Sequence, residues 1–537
     1  MHSADHPTSD RPAAALRPDY RSASARIHLA VLGIVALVLA IGTSLAFAPG
    51  GMYADTRWQL HQVLGNEQLS DWHPAIMTIT WTWLFDLTGH ASAILYAQVF
   101  LMFGIGLGFA LYLYDVTRSR AWSFAGLGFL LLPNIFTYIG VLWKDTQMAE
   151  AFFAAVVCAL LAQRFRRLRW LLLAVGLVAL TYGTAVRKNA FFAVLPLIWL
   201  LAFSTWTIWS ARIARSSQRA EAEATATSGP SPAVAEVAAA ESGQRAEAGR
   251  PLWRRILALP FVVLTGAVLV LVIGSGAILN AVYQPLKTHQ VSQVMLDDVL
   301  FTIPAAELKT LDTDPDLRDR LVTAQAKCRE AGSYEDAYWR CYGQGADGIY
   351  TAIDHTEELQ DVWLSEVVTR PDRYLIYRTQ TFSHFLFDNY AEWGGTIVEN
   401  PMGWEVKYKQ LNDAAQTYVE KFGMEDLPWL FTGWFWTLLS VVALVAHRRI
   451  RRLGEAAGWG HLSTAVTAMS LSTLIYVVGY FPIVPANHYR YVYWPAMVMT
   501  MCAIMIAAAA QMAWRAKRRR TVKVDAGAEA GRGNDDV

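Results

Sequence analysis

Five basic residues stand beside apolar runs where a membrane chain should carry few of them: Arg57, Lys144, Arg187, Lys188 and Arg490. Guanidinium forks and ammonium groups are the usual means of holding phosphate or pyrophosphate, so together they could receive an anionic ligand. Acids and polar groups lie among them. Asp55 falls in Tyr53-Ala54-Asp55-Thr56-Arg57, Asp71 and His73 in Asp71-Trp72-His73-Pro74, and Asp145 directly follows Lys144. Asn189 completes Arg187-Lys188-Asn189, while His488 and Tyr491 flank Arg490 in Asn487-His488-Tyr489-Arg490-Tyr491. A carboxylate here could take a proton from an attacking hydroxyl, and the cations could meet the charge of a departing phosphate.

Structural readings stand beside each of these. Asp55 could shield a helix end, and Asp-Trp-His-Pro is a competent helix start with Pro in the first turn. Lys144 and Asp145 could neutralise each other. Arg187 and Lys188 could reach lipid headgroups along their apolar stems, and Arg490, set among Tyr489, Tyr491 and Tyr493, could be an aromatic-belt anchor.

The elements that must position these residues follow from composition. The 537 residues hold 46 Lys+Arg against 45 Asp+Glu, a net charge of +1 that gives no electrostatic reason to expect nucleic acid. With 54% hydrophobic residues, 17% charged and 21 Trp, the chain is too apolar for an ordinary soluble protein. The expected fold class is an all-α polytopic membrane protein of about ten transmembrane helices with a mainly helical extracytoplasmic domain. A bilayer core takes about 20 apolar residues per helix, which places spans near 27–47, 92–114, 121–142, 148–162, 170–186, 190–209, 256–280, 429–447, 462–484 and 494–513.

Basic residues orient the spans, because short cytoplasmic loops are rich in Lys and Arg. Every second connection is basic: Arg118 and Arg120; Arg164, Arg166, Arg167 and Arg169; Arg212, Arg215, Arg254 and Arg255; Arg448, Arg449, Arg451 and Arg452; and the tail from Arg515 to Arg520. Both termini are expected in the cytoplasm of a multi-pass protein of the cytoplasmic membrane. The five cations named first then break the rule on the outer face, which is the observation that calls for an anion. A phosphate embedded there would belong to a lipid.

The expected organisation is a cytoplasmic tail (1–26), a first membrane half with the polar outer loops (27–209), a disordered Ala/Glu/Ser-rich cytoplasmic linker (210–255), a helix (256–280), an extracytoplasmic domain (281–428), C-terminal helices (429–513) and a basic tail (514–537). Cys158 and Cys502 lie in apolar runs, whereas Cys328 and Cys341 fall in the expected outer domain, a compartment that permits a disulfide. No Gly-rich phosphate loop, His-Glu-x-x-His motif, nucleophile-elbow Ser or Cys-x-x-Cys pair is present. No cofactor is assigned. His61, His73 and Asp55 could supply ligands to a divalent metal ion, but spacing alone does not select them.

At these residues the sequence resembles the GT-C superfamily of polytopic glycosyltransferases. The shared elements are Asp55-x-Arg57 followed by Asp71-x-His73-Pro74, then Trp143-Lys144-Asp145, Arg187-Lys188-Asn189, Pro371-x-x-Tyr374 and Arg490-Tyr491. Within that superfamily the sequence is more similar to a poorly characterised bacterial branch. The resemblance covers most of the membrane region; the long linker has no expected counterpart, and a single Asp55 replaces the paired acids of some members. It implies transfer of a sugar, with inversion, from a polyprenyl-phosphate donor to a cell-envelope acceptor (glycolipid, polysaccharide or protein) on the outer face. Asp55, Asp71 and Asp145 would be the catalytic carboxylates, Asp55 as the base that takes the acceptor's proton, and Arg57, His73, Lys144, Arg187, Lys188, Asn189, His488, Arg490 and Tyr491 would bind substrate, with membrane lipids around the donor's tail. The rival reading is a polytopic lipid or solute transporter or flippase, which usually shows repeated halves and interrupted helices; no clear internal repeat is visible.

Overall fold

The computed structural model describes residues 20–205, 250–343, 350, 353–388 and 390–532. Residues 210–249 of the expected linker, most of the N-terminal tail and the far end of the C-terminal tail lie outside these described residues, whereas 250–255, expected in the disordered linker, begin the helix Arg250–Tyr283. Within them the fold is all-helical apart from three isolated parallel backbone bridges.

Among the described residues, eight helices are long and apolar enough to cross a membrane: Ala23–Phe47, Ala93–Thr117, Lys144–Arg164, Arg169–Val186, Lys188–Thr205, Val262–Tyr283, Leu462–Gly479 and Tyr489–Arg519. The two other expected stretches take different forms. Residues 121–142 fold as a pair, Arg120–Leu131 and Pro133–Ile139, bent by 62°. Pro133 causes the break, since it lacks an N–H and disfavours helical geometry at Leu132, whose ψ is 136°. Residues 429–447 contain the 13-residue helix Gly433–Val445, about 20 Å long at 1.5 Å per residue, shorter than a bilayer core of about 30 Å.

Lys144–Arg164 is the most buried span, because Ala149, Ala151, Ala155, Ala159 and Ala162 let neighbours approach. A Cβ on Gly183 would meet Phe152 at 2.8 Å and one on Gly176 would meet Leu201 at 3.1 Å, so glycine at both positions fixes how closely Arg169–Val186 packs. This span starts at Lys144, four residues before the expected boundary, which puts Lys144 and Asp145 in its first turn. The next two spans form a tight hairpin whose corner is Arg187, with extended backbone (φ −143°, ψ 120°).

A second core is separate from that of the bundle. Leu296, Val299, Leu300, Leu317, Leu321, Tyr338 and Tyr350 gather there with Trp72, and Cys328 and Cys341 are bonded within it. Helix Pro315–Glu330 is started by Asp314, which accepts hydrogen bonds from Asp316 N (2.9 Å) and Leu317 N (3.2 Å). Beyond it the chain forms Thr356–Val362, a π turn over Trp363–Val367 and, after a break before Pro371, the helix Pro371–Phe387.

Candidate functional site

Two backbone seams hold the site together. Gly51 N donates to Gly140 O (3.0 Å) and Leu142 N to Gly51 O (3.1 Å), while Met52 N donates to Thr396 O (2.8 Å) and Val398 N to Met52 O (3.1 Å). The chain after the first span is thus sewn to the approach to Lys144 and to the 394–398 segment. A Cβ at Gly51 would lie 2.0 Å from Gly394 O, so only glycine allows that approach. Thr56 Oγ1 adds a bond to Leu142 O (2.9 Å).

Helix Ala54–Val63 then carries Asp55 in its first turn, facing Arg490 with a 3.0 Å ion pair. Tyr350 donates its hydroxyl to the other Asp55 oxygen (3.2 Å). The pair keeps 22% and 19% side-chain exposure, so a ligand can reach it. Burial works to raise the Asp55 pKa, but Arg490, with Lys144, outweighs burial and holds the carboxyl below its usual range. The Arg490 guanidinium lies over the rings of Trp143 (5.1 Å) and Tyr491 (5.0 Å). His488 Nδ1 accepts from Arg490 N (3.1 Å), which leaves Nε2 to donate to Glu392 (3.1 Å). Burial, only partly opposed by Glu392, lowers the His488 pKa and keeps the ring neutral.

On the other side of Tyr491 stands a second cation group. Arg187 pairs with Asp145 (3.0 Å), donates to Asn189 Oδ1 (2.9 Å) and to the Tyr480 hydroxyl (3.3 Å), and covers the Tyr491 ring at 5.1 Å. Lys144 does not pair with its sequence neighbour Asp145; its ammonium donates to His73 Nδ1 at 2.8 Å. Burial and the Lys144 charge lower the His73 pKa well below the usual value, so the ring is neutral with its proton on Nε2. That Nε2, Asp145 Oδ1 and Arg490 Nε are buried and without a hydrogen-bond partner among the described residues. A cavity of about 300 Å³ opens beside this group. Lys144, Arg187, Lys188 and Asn189 give it a polar end, and Phe192, Val291, Val294, Ile483 and Pro485 an apolar wall.

The remaining expected residues are placed differently. Asp71 receives the Thr288 N–H and hydroxyl (both 2.8 Å) and Lys287 (3.4 Å), which ties Trp72 and the second core to the strand-like seam where Leu286 N meets Leu69 O (2.8 Å). Lys188 donates to Asp71 O (3.2 Å) and Gln290 (3.1 Å) at the cavity rim. Arg57 makes no ion pair among the described residues. Tyr374 lies in the second helical region, under the Arg378 guanidinium at 5.8 Å. His61, His73 and Asp55 do not converge: among the described residues, no group of three His, Cys, Asp or Glu side chains could hold a metal ion.

No family model and no curated protein matches the chain. Among solved structures it is similar to ArnT from Cupriavidus metallidurans bound to undecaprenyl phosphate, at 12% identity and a TM-score of 0.31, over 86% of this chain and 78% of that one. At that score no residue of ArnT is matched to a residue here.

Two contributors had no signal in the sequence. Tyr350 reaches Asp55 from a segment without a motif, and Tyr480 joins Arg187 from the end of a span. Their roles exist only because residues far apart in the chain meet.

Proposed function

We propose that this protein is a glycosyltransferase that moves a sugar from a polyprenyl-phosphate donor to a cell-envelope acceptor at the outer face of the cytoplasmic membrane. The observation that carries the reading is the cavity whose polar end holds Lys144, Arg187 and Lys188 and whose wall carries apolar residues, linked to the Asp55–Arg490 pair through Tyr491, whose ring lies under both Arg187 and Arg490. A lipid phosphate matches both ends: cations for the headgroup, hydrocarbon for the tail. The first turn of Lys144–Arg164 adds the positive end of a helix dipole.

In the reaction, an acceptor oxygen attacks the anomeric carbon while the bond from that carbon to the phosphate oxygen breaks. The electron pair goes to the phosphate, whose growing charge Lys144 and Arg187 stabilise. A single displacement inverts the anomeric centre. Asp55 stays ionised and orients Arg490.

The test uses full-length protein in lipid nanodiscs with a radiolabelled polyprenyl-phosphate sugar. Release of polyprenyl phosphate that requires an envelope extract, together with a sugar-sized mass missing from envelope glycans of cells lacking the protein, supports the reading. Neither binding nor turnover of any polyprenyl-phosphate sugar would defeat it.

A further inference from the structure

The transferase reading leaves one role unfilled, the group that takes the acceptor's proton. Asp55 suits it poorly. A carboxylate locked to Arg490 at 3.0 Å is stabilised as an anion, and a strongly stabilised anion is a weak base.

A second carboxylate lies in a turn of the second core that docks on the loop carrying Arg490. Asp336 sits in a turn with left-handed backbone (φ 58°), a conformation that costs most residues but that Asp and Asn tolerate. The turn is held from both sides. The buried Asp297 carboxylate accepts the N–H groups of Asp336 (3.1 Å) and Ala337 (2.8 Å), and Glu335 accepts the N–H of Asn487 at 2.8 Å. Asn487 lies in the loop that carries Arg490, so the docking of this turn and the position of Arg490 are one contact. The next residues, Tyr338 and Trp339, stack on Trp72 (5.2 Å) and Tyr350 (5.2 Å), and Tyr350 in turn bonds Asp55. The Asp336 carboxylate makes no hydrogen bond among the described residues. Its charged neighbours are Arg340 and Glu335 on its own turn, Asp297 beneath it, and Arg490 and Asp55 across from it.

We infer that Asp336 is the general base of the transfer, taking the acceptor hydroxyl's proton while Asp55 fixes Arg490. The double clamp and the absence of a side-chain hydrogen bond hold this carboxylate unpaired in a turn docked on the loop that carries Arg490. As the acceptor oxygen bonds to the anomeric carbon, its proton passes to Asp336 and the phosphate leaves with the electron pair; water later takes the proton. Burial, against the pull of Arg340, raises the Asp336 pKa to about 7. The base form is then lost as pH falls below that value, and the rate falls with it.

This inference rests on the transferase reading, and the experiment separates the two. Full-length protein in nanodiscs is assayed from pH 5 to 9 with a polyprenyl-phosphate sugar and envelope acceptor, beside a donor-binding measurement. Asp336→Asn suits the left-handed turn and preserves the fold. It should bind donor as the parent does, lose roughly 10²- to 10⁴-fold in transfer, and lose the acid limb of the pH profile; Asp336→Glu should restore part of the rate. An active parent whose Asp336→Asn variant transfers within a few-fold, with the same pH limb, overturns the role of Asp336 alone. A parent that neither binds nor turns over the donor overturns the transferase reading and this inference with it.

Discussion

At the scale of single residues, the site is a set of charges paired across the fold rather than along the chain. Arg187→Ala would leave Asp145 buried and uncompensated, an arrangement that typically costs about 3–5 kcal/mol of stability, so its loss of activity would be ambiguous. Lys144→Met is cleaner, because its partner His73 is neutral. Losing one charge-assisted contact to phosphate, worth about 1.5–3 kcal/mol, should weaken binding of polyprenyl phosphate by roughly 10- to 100-fold, measured by microscale thermophoresis in nanodiscs, with little change in melting temperature. Asp55→Asn should lower transfer by about two orders of magnitude and also weaken donor binding, since Arg490 is no longer held; a variant that loses rate with unchanged binding would count against the anchoring role. The types of these residues were legible because cations in connections expected on the outer face contradict the rule that the other connections follow. Their partners were not. Arg490 and Asp55 are far apart in sequence, Lys144 chooses His73 over the adjacent Asp145, and Asp336 lies in a turn whose residues resemble any polar turn.

At the scale of elements, small residues and one proline set where the charged groups end up. Gly51→Ala would force a Cβ to within 2.0 Å of Gly394 O, parting the seam that carries Asp55. It should lower the yield of monodisperse protein and the melting temperature by several degrees in a detergent thermal-shift assay, whereas Gly42→Ala, in open space, should not. Helix existence was readable from apolar runs. Helix ends and continuity were not: the Pro133 bend, the early start at Lys144 and the short Gly433–Val445 depend on local backbone geometry that a hydropathy pattern averages away. The disulfide between Cys328 and Cys341 was anticipated from the expected compartment; Cys328→Ser with Cys341→Ser should destabilise the second core by on the order of 3 kcal/mol, read as faster proteolysis of that region.

At the scale of the whole molecule, the proposed topology puts both termini and the 206–249 segment inside and the second core outside. A cysteine placed at Thr227 should stay unlabelled by an impermeant maleimide in intact cells and react after lysis; labelling in intact cells would reverse the orientation. One further consequence follows from Val262–Tyr283, which packs on Arg169–Val186 but buries only one residue, Val268, along its length. Twenty-two residues of helix measure about 33 Å, close to the thickness of the hydrocarbon it sits in. With so little protein contact to fix its tilt, that helix answers to hydrophobic mismatch: in a thinner bilayer it leans, in a thicker one it stands upright. Its far end runs straight into Gln284–Leu286, where Leu286 pairs with Leu69 beside Asp71 and the cavity rim, so bilayer thickness is mechanically connected to the mouth of the site. Reconstitution in lipids of graded acyl length should therefore give an optimum in turnover, and tethering this helix to Arg169–Val186 by an engineered crosslink should flatten it.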